Sequence, residues 1–309
     1  MTLTSVPGVE VGHWSDRKGL TGVTVVVLPE PNVAAVEVRG AAPGTRETAL
    51  LASGMKVETI QAIVFAGGSA FGLAAADGVV RALEADGRGH PTPAGVVPIV
   101  PSAILFDLLV GDPRARPDAA AGEAAYRASS PGPVEMGSVG AGTGAVVAGW
   151  RGFDHFRKGG VGSHAEPVGD AVVAALAVVN AVGDVFTLEG GSLTGGAAVP
   201  PLVPAAPRPL ENTTLVVVAT DARLDRASLT RLCVQGHDAM AVCLRPGHTR
   251  YDGDVVFAVS CGDRIADPDA LGSAAFIAVG RAIEAAVRHA TPLGGVPVIA
   301  ADAAPEEST

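Results

Sequence analysis

The chain has 309 residues, of which 48% are apolar and 17% charged, with a net charge of −10 and a mean hydropathy of +0.36. This size and composition predict one large or two ordinary domains with an extensive core. The acidic balance, without clusters of lysine and arginine, argues against a nucleic-acid-binding protein.

The sequence has no pattern typical of secretion or of a membrane span. The N-terminal stretch lacks a basic region followed by an apolar one. The longest apolar candidate, 171–182, is shorter than a bilayer requires and is interrupted by Asn180. Three cysteines without CxxC spacing indicate free thiols in a reducing compartment. We therefore expect a cytoplasmic protein with no membrane partner.

Strands and helices mix along the whole chain. Apolar runs predict strands, in chain order at 22–29, 34–40, 59–68, 213–222 and 253–262. The segment 94–109 is predicted as a strand running into a turn, and 137–150 as a glycine-rich segment that leads into a strand. Helical periodicity predicts helices, in chain order at 69–87, 118–129, 225–244 and 269–290. Ser69 is expected to cap the first helix and Gly87 to end it.

Three further segments complete the prediction. The nearly continuous apolar stretch 166–186 is predicted as part helix and part strand, covered on all sides. Residues 191–211, rich in Gly, Pro and Ala, are predicted as a linker, and 301–309 as a disordered tail. The mixture of elements predicts an α/β fold, a layered sandwich formed by the whole chain as a single domain.

The glycine-rich segments do not match a nucleotide site. "AGGSAFG" follows a strand and opens a helix, yet it is neither GxGxxG nor GxxxxGK[ST]. Gly140 and Gly142 lie in a second such run without a ribose-binding acid at the required distance. Tight turns and backbone donors near a substrate are the better interpretation. The histidines lack metal-site spacing and no GxSxG motif is present, so neither a metal nor a classical serine hydrolase is predicted.

The Asn212-Thr213 junction is the principal candidate for nucleophilic chemistry. It follows the linker and opens a predicted buried strand. A threonine hydroxyl is a weak nucleophile unless a base lies beside it, and a cut before Thr213 would release an α-amino group as that base. The ordinary pKa of an α-amino group, about 7.7–8.0, suits proton transfer near neutral pH. Taken alone, such an Asn-Thr pair is usually turn chemistry before a strand.

Four other polar residues could serve the same site. Asp252 and Asp254 flank a glycine, so both carboxylates could approach Thr213 and tune the pKa values of its amine and hydroxyl. Lys158, an isolated cation in a glycine-rich run, could contact a developing oxyanion or keep the amine neutral by its like charge. Asn180 could donate to an oxyanion. The simpler interpretations are a hairpin turn for Asp-Gly-Asp, a surface charge for the lysine and a helix cap for the asparagine.

Together, these residues make the chain resemble the DmpA/NylC family of N-terminal-nucleophile (Ntn) hydrolases. The resemblance rests on segments that occur in the family's order and span residues 7 to about 262. They are "PGVEVGHWSD", "VFAGGSAFGLAAADGV", "VPIVPSAILFDL", "GSVGAGTGA", "KGGVGS", "NTTLVVVATDA", "GHDAMA" and "HTRYDGDVVFA".

The resemblance implies a four-layer αββα-like sandwich, self-cleavage before a serine or threonine, and amide hydrolysis without a cofactor. Carried over to this sequence, Thr213 would be the nucleophile and Asn212-Thr213 the scissile bond. The chain would then mature into an α-chain, 1–212, and a β-chain, 213–309, that stay associated through a shared core.

The resemblance also implies roles for the other candidates. Asn180 would be an oxyanion donor, Lys158 an active-site cation, and Asp252 and Asp254 would orient the nucleophile. A tyrosine that assists the oxyanion in some members has no clear counterpart. The substrate-site candidates are Phe106, which stands near the expected place, Tyr126 as a substitute, Gly140 and Gly142.

The combination of threonine, Asp-x-Asp and Lys158 resembles the NylC branch, the nylon-oligomer hydrolases. This implies linear amides of the 6-aminohexanoate type as substrates and a homotetramer or similar assembly. An aminopeptidase acting on small peptides, including β- or D-residues, is the close alternative. An acyltransferase like ornithine acetyltransferase is a more distant one, and a non-catalytic binding protein on the same scaffold is the non-enzyme alternative.

Overall fold

A computed structural model describes residues 1–205 and 211–300 of the chain. The strands are β1 (Glu10–Asp16), β2 (Thr21–Val27), β3 (Val33–Val38), β4 (Thr45–Arg46), β5 (Ala62–Ala66), β6 (His90–Thr92), β7 (Gly95–Val97), β8 (Ser102–Ile104), β9 (Val146–Val147), β10 (Arg157–Lys158), β11 (Gly160–Val168), β12 (Ala171–Asn180), β13 (Asp184–Val185), β14 (Thr213–Ala222), β15 (Leu244–Arg245) and β16 (Val255–Arg264). The helices are α1 (Ala75–Ala85), α2 (Ala119–Arg127), α3 (Arg226–Cys243) and α4 (Pro268–Arg288). Short 3₁₀ turns include Ser69–Ala74 and Gly140–Gly142.

Two five-stranded sheets stack face to face between two pairs of helices. The first sheet has the order β1-β2-β5-β8-β4, and the second has the order β11-β12-β14-β16-β3. Helices α1 and α2 pack on the outer face of the first sheet, and α3 and α4 on the outer face of the second. A separate apolar core fills the space between the sheets. The predicted αββα sandwich is therefore confirmed.

The segment 166–186 contains no helix, contrary to the prediction for part of it. It forms the end of β11, all of β12 and β13. Side chains of β12 alternate between two cores, so both faces of the strand are apolar, and a strand buried on both faces gives the continuous apolar run that a buried helix would also give. Asn180 ends this strand, so its interpretation as a helix cap is wrong.

Helix ends are only partly as predicted. Asp225 caps α3 by accepting the Ser228 backbone N–H, and Gly87 follows α1 with φ of +71°. Ser69, in contrast, makes no capping hydrogen bond and has φ of +56°, because the chain enters α1 through a 3₁₀ turn. The sequence also did not predict β1 or β11 as strands, since glycines interrupt their apolar pattern.

Helix α4 belongs to the core of this layered domain. By length and by a mean hydropathy of 1.5 it would suit a membrane span, but 67% of that window is buried inside the protein. It packs against β11, β12 and α3. No other helix of the described chain meets the same criteria.

The topology of the second sheet places three strand ends together. Strands β14 and β16 are parallel, and β12 is antiparallel to β14. The start of β14, the start of β16 and the end of β12 therefore lie at one edge of the sheet. Residues 191–205 of the predicted linker contain no helix or strand. The remainder of the linker at 206–210 and the predicted tail at 301–309 lie outside the described residues.

Candidate active site

The candidate site is built at the sheet edge where these strand ends meet. Thr213, the first residue of β14, lies directly opposite Asn180, the last residue of β12. On the other side of β14, the register with β16 begins at Leu215 and Val255. Asp252 and Asp254, which precede β16, are therefore brought beside Asn212-Thr213. The four side chains of Asn180, Thr213, Asp252 and Asp254 are all buried.

The Asn212-Thr213 peptide bond is held by backbone hydrogen bonds on the side of Asn212. The Asn212 N–H donates to the Tyr251 carbonyl at 2.9 Å, and the Asn212 carbonyl accepts the Gly253 N–H at 2.9 Å. The Thr213 hydroxyl donates to the same carbonyl oxygen at 2.5 Å. The Thr213 hydroxyl and an N–H donor thus both contact the carbonyl oxygen of the Asn212-Thr213 bond, and an N–H donor at that oxygen is what a developing oxyanion needs.

This arrangement requires a residue without a side chain at position 253. A Cβ at this position would lie 2.6 Å from the Ala42 carbonyl oxygen and 2.8 Å from Thr213 Oγ1. Only glycine lets the loop before β16 approach the hydroxyl so closely.

The two carboxylates have different surroundings. Asp254 accepts the Thr214 N–H through Oδ1 at 2.7 Å, and its Oδ2 lies 2.7 Å from His248 Nδ1. Asp252 Oδ2 accepts the N–H and the hydroxyl of Thr249, at 2.8 and 2.6 Å. Burial raises the pKa of Asp252 to about 7, and the charge of Asp254 adds to that effect, while the hydrogen bonds from Thr249 oppose it.

Asn180 is fully buried with its amide fixed in one orientation. Its Oδ1 accepts the Val146 N–H at 2.9 Å, and its Nδ2 donates to the Phe106 carbonyl at 3.1 Å. An Asn amide has two N–H donors, and one of them remains for a further acceptor. The site thus contains a preorganised side-chain donor next to Thr213.

Lys158 is fully buried, so its interpretation as a solvated surface charge is wrong. Its ammonium donates to the carbonyls of Thr143 and Ala145, at 2.8 and 2.7 Å. Val146 connects Lys158 and Asn180. It lies opposite Lys158 in the pairing of β9 with β10, and its backbone N–H donates to Asn180 Oδ1. Burial lowers the pKa of Lys158 to about 7, and the negative charge of Asp107 partly opposes this shift.

The structure separates the remaining candidates. Phe106 contributes its carbonyl to Asn180. The Tyr126 hydroxyl donates to Asp86 at 2.9 Å, in the layer of α1 and α2, so it cannot substitute as the oxyanion tyrosine. Gly140 and Gly142 lie in a 3₁₀ turn with close contacts to other segments: a Cβ at Gly142 would lie 2.6 Å from the Gly160 carbonyl carbon. Their evident role is packing.

Sequence reasoning missed two side chains beside the site, the half-buried His248 and the buried Asp107. His248 is the histidine of the "HTRYDGD" segment, and its position six residues before Asp254 is the signal that could have found it. Asp107 follows Phe106 directly, and its Oδ1 accepts the Gly68 N–H at 2.7 Å. Burial raises the pKa of Asp107 to about 6 against the effect of this hydrogen bond.

Within residues 1–205 and 211–300, no group of three His, Cys, Asp or Glu side chains is arranged to hold a metal ion. The site provides the Thr213 hydroxyl, one backbone and one side-chain N–H donor, the buried Lys158 amine and a pair of aspartates. These are the groups of acyl transfer by nucleophilic catalysis.

Comparisons with known proteins identify the family to which the chain belongs. The model of Peptidase family S58 matches residues 2–298. An uncharacterized aminopeptidase of Mycobacterium tuberculosis is 39% identical, over 96% of this chain and 96% of that protein. The 6-aminohexanoate-oligomer endohydrolase of Kocuria sp. is 31% identical, over 86% of this chain and 76% of that protein.

Solved structures show the same fold. The L-aminopeptidase D-Ala-esterase/amidase of Ochrobactrum anthropi, described as a variant of the Ntn hydrolase fold, superposes with a TM-score of 0.78 at 22% identity, covering 97% of this chain and 91% of that chain. A Burkholderia sp. β-aminopeptidase gives a TM-score of 0.73 at 23% identity, covering 96% and 90%. The resemblance to the DmpA/NylC family is confirmed. The chain belongs to peptidase family S58 and is an amidohydrolase or peptidase with the Ntn hydrolase fold.

Proposed function

We propose that this protein is a self-cleaving amide hydrolase that uses Thr213 as an N-terminal nucleophile and acts on linear amides of the 6-aminohexanoate-oligomer type. The observation that carries the proposal is the contact of 2.5 Å between the Thr213 hydroxyl and the Asn212 carbonyl oxygen. The N–H of Gly253 on the same oxygen supports it, because an intermediate formed at this carbonyl would carry negative charge there.

Self-cleavage begins with attack of Thr213 Oγ1 on the carbonyl carbon of Asn212. The hydroxyl proton is transferred to the Thr213 nitrogen as the C–N bond breaks, which leaves an ester between Asn212 and the Thr213 oxygen. Water hydrolyses this ester, so Asn212 becomes a C-terminal carboxylate and Thr213 regains its hydroxyl. The new α-amino group of Thr213 is the base for later turnovers.

Turnover on a substrate repeats the acyl transfer with an external amide. The Thr213 amine takes the hydroxyl proton, the oxygen attacks the substrate carbonyl and the substrate amine departs with a proton. Asn180 Nδ2 and the Lys158 ammonium stabilise the oxyanion, since each retains an N–H donor beyond its bonds to backbone carbonyls. Water then releases the acyl group from Thr213.

The substrate class rests on the named relative and on the residues of the site. The Kocuria protein is named as a 6-aminohexanoate-oligomer endohydrolase, and it is 31% identical. A buried lysine and an acid pair of aspartates accompany the threonine here, as the resemblance to the NylC branch implies.

A peptidase that removes N-terminal residues is the second candidate. The relative from Mycobacterium tuberculosis, at 39% identity, is named as an aminopeptidase. The structural observation in its favour is the buried Asp107 carboxyl group: the Thr21 hydroxyl lies beside its Oδ2 but makes no hydrogen bond of normal geometry to it. An ionised carboxylate near Asn180 and Lys158 could accept the ammonium group of such a substrate.

The experiment has two parts. Purified protein is run on a denaturing gel and the smaller fragment is sequenced; we expect two bands and an N-terminus at Thr213. The matured enzyme is then given 6-aminohexanoate oligomers, β-alanyl amides, L- and D-alanyl amides, and acetylornithine with ornithine. Internal cleavage of the oligomers supports the first candidate, and release of N-terminal residues alone supports the second. A single band that stays uncut on ageing contradicts self-cleavage.

A further inference from the structure

The strongest observation outside the roles given so far is the double contact of His248 with Asp254. Its ring Nδ1 lies 2.7 Å from Asp254 Oδ2, and its backbone N–H donates to the same oxygen at 3.2 Å. With the Thr214 N–H on Oδ1, the Asp254 carboxyl group receives donors on both oxygens. Three donors directed at one buried carboxyl group fix its orientation.

The neighbouring carboxyl group has other donors. Asp252 is buried next to the charge of Asp254, and its pKa is raised to about 7. Asp252 accepts hydrogen bonds from Thr249, whereas Asp254 accepts from Thr214 and His248. Different donors therefore position the two carboxyl groups.

Other titratable groups near His248 do not provide an alternative charge. His237, on α3, stacks edge-on against the His248 ring with 4.9 Å between centroids. Burial lowers the pKa of His237 to about 4, so it is neutral near pH 7. Directly after β3, the exposed Arg39 side chain pairs with Glu37, and the backbone N–H of Arg39 donates to the Asp254 carbonyl.

We propose that His248 is a positioning residue for self-cleavage: its ring and backbone N–H groups hold the Asp254 carboxylate in the orientation that binds the Thr214 N–H. The inference rests on the proposed function, since it concerns cleavage at Asn212-Thr213. Asp254, held in this orientation, fixes the backbone of Thr214 and thereby the start of β14. Thr213 is the next residue along, so this anchoring orients its hydroxyl against the scissile carbonyl.

A consequence for pH follows from the direction of these contacts. Burial acts to lower the pKa of His248, but the hydrogen bond and charge of Asp254 outweigh it and raise the pKa above its usual value. The wild-type ring therefore keeps its charge, and with it the charged Nδ1–H donor, to a higher pH than an ordinary imidazole does. Cleavage that uses this charged donor should slow as pH rises through the raised pKa, and variants without the ring should lack that decline.

The test compares full-length wild-type protein with H248A and H248N, and with H164A as a matched control at a histidine paired with Glu166 on β11. Each chain is made by cell-free translation, pulse-labelled and shifted to a series of pH values, and the rate of cleavage is followed on gels. For H248A we expect cleavage to slow by about tenfold, the loss of one charge-assisted hydrogen bond. H248N, whose amide can replace the Nδ1–H donor, should restore most of the rate.

The outcomes separate the two proposals. An H248A chain that is cleaved at the wild-type rate overturns the inference about His248 and leaves self-cleavage intact. A wild-type chain that is not cleaved at Asn212-Thr213 contradicts both proposals. If H248A fails to fold by circular dichroism, H248N and H248G decide, because asparagine and glycine both tolerate the φ of +53° at this position: faster cleavage of H248N supports the inference, and equal rates contradict it.

Discussion

Asn180 and Thr213 lie directly opposite each other in the antiparallel pairing of β12 and β14. Their side chains approach the same sheet edge from strands that are more than thirty residues apart along the chain. The amide of Asn180 is held by Val146 and Phe106, so its position relative to Thr213 does not depend on substrate. This rigidity is what an oxyanion donor requires.

We expect T213A to remain a single uncut chain, and T213S to be cleaved. Alanine removes the hydroxyl that contacts the Asn212 carbonyl, whereas serine keeps it. Mass spectrometry of purified proteins measures the result. Cleavage of T213A at the same bond would refute the assignment of the nucleophile.

We expect N180A to lower kcat by about 10²–10³-fold, the usual effect of losing one oxyanion donor. The change also leaves the Val146 N–H and the Phe106 carbonyl without partners, which should lower the free energy of unfolding by about 1–3 kcal/mol. N180D is the matched variant, because it keeps the acceptor for Val146. A normal kcat in a folded N180A protein would exclude Asn180 from the oxyanion site.

We expect activity that depends on the Lys158 ammonium to decline as pH rises through about 7, the pKa to which burial lowers this group. K158M should have a lower rate and lose this decline. The free energy of unfolding should change in the opposite direction. The folded chain loses the Lys158 proton at a lower pH than the unfolded chain does. This group therefore makes the free energy of unfolding rise with pH above about 7. Denaturant unfolding of both proteins across pH tests it, and equal slopes would contradict the assignment.

We expect G253A to slow self-cleavage and to reduce stability by about 1–3 kcal/mol, as overpacking does. The added methyl would lie 2.8 Å from Thr213 Oγ1 and 2.6 Å from the Ala42 carbonyl oxygen. G272A, a change within α4, is the control, because the added methyl would meet only the Gln235 side chain, at 3.5 Å. Cleavage of G253A at the wild-type rate would show that the loop before β16 can move away without effect.

We expect D107N to raise KM for substrates with a free N-terminal amine by about 10–100-fold if Asp107 accepts the ammonium group. The same substrates with an acetylated amine serve as controls and should change little. Steady-state kinetics of both series measure the difference. An equal change of KM in the two series would show that Asp107 interacts with the charge of Lys158 and not with a substrate amine.

Local pattern was enough for most elements of the fold. Runs of β-branched residues gave β2, β5, β14 and β16, and helical periodicity with polar caps gave α3 and α4. The pattern failed at 166–186, because burial on both faces removes the alternation that distinguishes a strand from a buried helix. It failed at Ser69 because a 3₁₀ turn, set by packing around α1, displaced the cap.

The sequence by itself determined which residues are candidates: the Asn212-Thr213 junction, the acid pair and the two isolated polar residues Lys158 and Asn180. Only the tertiary structure decided which of them share a site. Their proximity comes from the register of β12, β14 and β16, which depends on contacts between residues far apart in the chain. The same contacts bury Lys158 and bring His248 to Asp254, because burial and long-range hydrogen bonds are properties of the folded chain and not of local sequence.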